Sequence, residues 1–164
     1  MADDFQIRKI HAVAIPAALE KAELYRFLNE PEQAESICLD ILEVEPKHQK
    51  AIRLLILAWT DQFEYRAGRA RQARAKVQEL VNEYERLYYT GLVCEREARA
   101  HIGRTMSASF AHDLFVEALE WYAKAEALAP QGNDDAILRR NSCLRTLSEE
   151  ALEPLRDNSE PPLE

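Results

Sequence analysis

Between Pro31 and Pro46, the residues Ala34, Ile37, Cys38, Ile41 and Leu42 recur at i, i+3, i+4, i+7 and i+8. That spacing lines apolar side chains along one face of a helix and leaves the other face to solvent. The two prolines fix its length, because proline suits a first helical turn but cannot continue a helix. Just upstream, a helix is predicted from about Pro16 to Leu28, and Asn29-Glu30-Pro31 forms the turn between the two. Ala22, Tyr25, Ala34, Cys38, Ile41 and Pro46 thereby fall where a helix-turn-helix unit of roughly 34 residues needs small, aromatic, small, medium, apolar and chain-turning side chains. Ala118, Tyr122, Ala125 and Pro130 echo the second half of that pattern. Such a unit cannot bury its apolar stripe alone, so units must stack.

The remaining patterns are helical too. Only 4 glycines occur in 164 residues, and no stretch alternates with period two for long enough to read as a strand. A helix over about 49–63 is apolar nearly all round, which marks it as central. Further helices are expected over about 66–87, 89–101, 111–129 and 134–149, with a break of small and polar residues from Gly103 to Ser109. Residues 1–10 read as an arm, 11–150 as a single domain, and the Pro- and acid-rich 151–164 as a disordered tail.

Composition narrows the function classes. The formal net charge is −8, with acidic residues in excess over 1–50 and 111–164 and basic residues in excess over 51–110. Such a chain repels nucleic acid and anionic membranes overall, so neither is expected as a partner. Its longest apolar runs, Ala12 to Leu19 and Leu54 to Trp59, fall far short of the roughly 20 residues a membrane span needs. The start, Met-Ala-Asp-Asp, is acidic where a secretory signal is basic, which points to the cytoplasm. Cys38, Cys94 and Cys143 are too scattered for a zinc site or a disulfide framework.

Taken together, these residues resemble the tetratricopeptide repeat (TPR) family. The match is fullest over 15–48, partial over 49–87 and 88–130, where connections run longer, and Ala136-Ile137 echoes Ala51-Ile52 as the start of a truncated unit. The resemblance implies an all-α right-handed superhelix of stacked antiparallel helix pairs, about seven helices with a C-terminal capping helix. It also implies a concave face, built from the first helix of each pair, that takes a peptide or a partner helix. Carried over by position, that face includes Glu23 and Arg26, then Arg53, Leu57, Thr60 and Asp61, with Arg96, Arg99 and Arg139 further along. Leu19, Glu23 and Leu54 occupy places where well-known members carry the Lys and Asn of a carboxylate clamp, so no such clamp is expected.

Other features have plainer readings. Trp59 is expected to pack between paired helices. Arg66, Arg69, Arg71, Arg74 and Lys76 flank the Ala70–Ala73–Val77 stripe on both sides, as on a solvated exterior. Cys94 and His101, seven residues apart on one helix, are separated by about 10 Å, too far for a nucleophile and its base. Asn133-Asp134-Asp135 lacks the alternation of a calcium loop and suits a helix start. No enzyme, cofactor or metal is expected. The expected function is a protein–protein interaction module, an adaptor or scaffold whose arginines select acidic partner side chains. A dedicated chaperone holding one client before export or assembly is the alternative, and the apolar groove leaves a homodimer open.

Overall fold

The computed structural model describes residues 5–102 and 108–154. All seven regular elements longer than a turn among them are α-helices, and none is a strand. The expected break at Gly103 to Ser109 lies largely outside the described residues, as do 155–164 of the expected tail and 1–4 of the expected arm. Two compact units divide the chain, Met1–Asn82 and Glu83–Glu164.

In the first unit, a 3-10 turn at Ala12–Ala14 leads into α1 (Ile15–Phe27), followed by α2 (Pro31–Val44), α3 (Gln49–Thr60) and α4 (Arg69–Val77). Helix α1 ends in a Schellman motif: the Glu30 N–H donates to the Tyr25 carbonyl at 2.8 Å and the Asn29 N–H to Arg26 at 3.0 Å. Asn29 takes φ 60, a left-handed conformation that asparagine tolerates better than most residues. Pro31 then opens α2 with Glu32 in its first turn, where a negative charge meets the positive end of the helix. At the start of α3, His48 Nδ1 accepts the Ala51 N–H at 3.2 Å and caps the helix.

Sequential helices pack on one another through α1, α2, α3 and α4, and α3 also touches α1. Helix α3 is central, with Ala51, Ile52, Leu54, Leu55, Ile56, Ala58, Trp59 and Thr60 buried. Trp59 belongs to this core, and the Arg69 guanidinium lies over its ring at 5.7 Å.

The helix predicted over 66–87 is in fact two. Helix α4 stops at Val77, and α5 starts at Glu83 in the second unit. Between them Leu80 is buried, and the Gln49 side chain grips the chain on both sides of it. Its Oε1 accepts the Val81 N–H at 2.9 Å and its Nε2 donates to the Glu79 carbonyl at 3.4 Å. A side-chain amide that replaces helical partners holds the backbone out of a helix.

The second unit comprises α5 (Glu83–His101), α6 (Ala108–Leu128) and α7 (Asp135–Glu149). Helices α5 and α6 form the main pair, and α7 packs on both. Phe115, Ala118, Tyr122, Ala125, Cys94, Ala98, Ala136 and Cys143 make its core. Before α7, Asn133 Oδ1 accepts the Asp135 N–H at 3.0 Å from one residue ahead of the N-cap, and the N-cap itself is Asp134, which makes no side-chain capping bond.

Candidate functional site

Helix α3 is buried on every side but one. Its positions outside the core are Gln49, Lys50, Arg53 and Leu57, and the stripe continues one turn on to the half-buried C-cap Asp61. Spacing of i, i+3, i+7 and i+11 from Lys50 to Asp61 keeps them on one face. Helix α1 meets this stripe at both ends. Arg26 Nε donates to Asp61 Oδ2 at 2.6 Å and Nη2 to Oδ1 at 3.2 Å, a two-pronged pair in a partly buried setting. Lys50 Nζ lies 2.9 Å from Glu23 Oε1, a more exposed pair. A planar guanidinium gripping both carboxylate oxygens fixes geometry better than an ammonium does. The result is a half-buried Leu57 with charged residues above and below it.

Of the residues nominated in this unit, Glu23, Arg26, Arg53, Leu57 and Asp61 share that face. Thr60 does not: it is buried, and its hydroxyl donates to the Leu57 carbonyl at 2.7 Å. The basic residues of α4 are not uniformly solvated either. Arg69 Nη2 lies 2.7 Å from Glu35 Oε1 on α2, and Gln62 Nε2 donates to Glu35 Oε2 at 2.8 Å. Arg66 and Arg71 are exposed.

In the second unit two of the three arginines expected on the face, Arg99 and Arg139, converge on Glu95. Glu95 is 0% exposed, in the middle of α5. Arg99 Nε donates to its Oε1 at 3.0 Å, Arg139 Nη1 approaches the same oxygen at 3.5 Å, and the Tyr122 hydroxyl donates to Oε2 at 2.6 Å. Arg99 also donates to Thr146 Oγ1 at 2.9 Å and Ser142 Oγ at 3.0 Å, and its guanidinium lies 5.5 Å from the Phe115 ring centre. A carboxylate stripped of water is tolerable only with such charge-assisted partners. Arg139 is partly buried, which disfavours its charge, yet Glu95 together with Tyr88 and Tyr122 more than offsets this and its pKa rises. Burial first, and then Glu95, push the Tyr122 phenol up. Arg96 is half-buried on the same helix.

One sequence signal does mark these buried carboxylates. Glu35 lies on the stripe Pro31–Ala34–Cys38 and Glu95 on Gly91–Cys94–Ala98, each acid directly following a small residue of an inward face. A charge on a core stripe implies a partner from another helix.

Nucleophile chemistry is disfavoured at the thiols. Burial raises Cys38 and Cys143 to about 12, so both stay protonated at neutral pH, and Cys94 is buried. Among the described residues, no group of three or more His, Cys, Asp or Glu side chains is placed to hold a metal, and no helix is long and apolar enough to cross a membrane. No protein-family model, curated protein or solved structure matches the chain.

Proposed function

We propose that the protein is a non-enzymatic interaction module, an adaptor or scaffold, that holds a peptide or helix of another protein on the first-helix face. In this reading the helix pairs belong to a TPR-like right-handed superhelix, and the binding face uses Glu23, Arg26, Arg53, Leu57 and Asp61. The observation that carries it is the single open stripe of α3, where half-buried Leu57 stands between Arg53 and Asp61 on a helix otherwise wholly in the core. An apolar centre with a charged rim is how energetically productive interfaces are built. The rim charges add little affinity but choose partner and register. The Arg26–Asp61 and Glu23–Lys50 pairs set the spacing of α1 and α3 before a partner arrives, which reduces the ordering lost on binding. Buried free thiols suit a reducing compartment, in keeping with work in the cytoplasm.

The test is affinity capture from the native host with the full chain and with Leu57→Asp. The variant is expected to lose a partner that the unaltered protein retains, while its thermal melt shows that it still folds. Retention of every partner by folded Leu57→Asp contradicts the assignment of this face.

A further inference from the structure

Helix α1 is apolar on two opposite faces. Ile15, Leu19 and Ala22 are buried against the first unit's core. On the far side Val13 is 89% exposed and Phe27 87% exposed, and Leu24 and Leu28 are about half-exposed at 52% and 53%. Ala14 and Ala17 are exposed beside them, and so are Glu20 and Lys21 at the centre. Within α1, positions 17, 20, 24 and 27 step by 3, 4 and 3 with 21 alongside, the spacing of a seam that another helix fills, while Val13 and Ala14 lie in the 3-10 turn before α1 and Leu28 is its C-cap. A helix with apolar side chains on both sides belongs between two partners, and an exposed apolar strip, here interrupted at its centre by Glu20 and Lys21, marks an interaction surface.

We infer that this seam pairs with the same seam of a second copy of the chain, two α1 helices lying antiparallel across a two-fold axis between Glu20 and Lys21. The arrangement is self-complementary in charge: Glu20 meets the partner's Lys21, and Lys21 meets the partner's Glu20. It is complementary in size as well. Ala17 faces the partner's Leu24, and Phe27 faces the 3-10 turn before the partner's α1, where the small Ala14 stands. Small residues opposite large ones let two helices approach closely while the large side chains fill the space between them. An interface related by a two-fold axis must be self-complementary in this way. A parallel pairing sets Glu20 beside Glu20 and Phe27 beside Phe27, with neither advantage. The inference does not rest on the α3 face, because Glu23 and Arg26 leave α1 on its other side to meet Lys50 and Asp61.

Sedimentation equilibrium of the full chain tests it. The unaltered protein is expected to be a dimer. Leu24→Glu and Phe27→Glu are each expected to give a monomer of unchanged helical circular dichroism, since both side chains already face solvent. Glu20→Lys and Lys21→Glu each place like charges across the axis and are expected to weaken association about tenfold. The double exchange E20K/K21E restores opposite pairs and is expected to recover the dimer. A monomer at every concentration, whether the seam is bare or covered by another protein, overturns the inference. So does a dimer indifferent to Leu24→Glu, or a double exchange no tighter than either single one.

Discussion

The Tyr122 hydroxyl donates to Glu95 Oε2 at 2.6 Å, across from α6 to the centre of α5, with both side chains fully buried. This contact and the two arginines on the opposite oxygen make Glu95 the point on which all three helices of the second unit converge. Removing the carboxylate orphans several donors at once. Glu95→Ala is expected to destabilise the second unit by about 3–5 kcal/mol, the range for breaking a buried pair. Tyr122→Phe, which orphans one lone pair only, is expected to lose about 1–3 kcal/mol. Urea unfolding followed by circular dichroism measures both, and equal effects of the two contradict the hub.

Gly91 is held in place by that same tyrosine. A Cβ there meets Tyr122 Cδ1 and Cε1 at 3.0 Å and Trp121 Cβ at 3.2 Å. In an open helix Gly→Ala gains about 1 kcal/mol. Here Tyr122 is anchored by Glu95 and cannot swing aside, so Gly91→Ala is expected to destabilise by about 1–2 kcal/mol through overcrowding. Combining it with Tyr122→Phe is expected to be non-additive, since the freed ring can shift.

Trp59 anchors the first unit. Trp59→Ala is expected to lose about 3–5 kcal/mol by leaving a cavity beside α3. An unchanged thermal melt contradicts its place in the core.

Alkaline pH selects against the buried thiols. Cys38 and Cys143 rise from 9.0 to about 12 in the fold, chiefly by burial. A raised folded pKa means that the unfolded chain loses its protons first. The contribution is therefore complete below pH 9 and declines as pH climbs from there towards 12. Melting temperature is expected to fall across that window, and to fall less steeply in C38A/C143A than in the unaltered chain. Native thiols are likewise expected to resist alkylation at neutral pH and to react on unfolding. Identical slopes for the two proteins contradict the burial-driven shift.

Much of this architecture was legible in advance because apolar periodicity and proline report helices directly. The α2 stripe, the Pro31 start, the central α3 and the buried Trp59 follow from spacing alone. The division between α4 and α5 does not, because Val77, Leu80, Tyr84 and Leu87 keep helical spacing across the break. A distant side chain, Gln49, decides it. A local sign was nonetheless present in Asn82 followed by Glu83 and Glu85, a capping residue before an acidic first turn. On α3, Arg53 and Leu57 are the expected positions that stay outside the core. Thr60 was misleading because a threonine near a helix end can turn inward to its own backbone. Glu95 was missed because a lone glutamate in a helix usually faces water, and its place on the Gly91–Cys94–Ala98 stripe makes sense only with its partners Arg99, Tyr122 and Arg139.

Photo-crosslinking from α3 tests the proposed interaction most directly. A crosslinking amino acid at position 57 of the full chain, expressed in its native host, is expected to yield a discrete adduct with another protein, while the same group at exposed position 71 yields none. No adduct from position 57, or equal adducts from both positions, would contradict a binding face centred on Leu57.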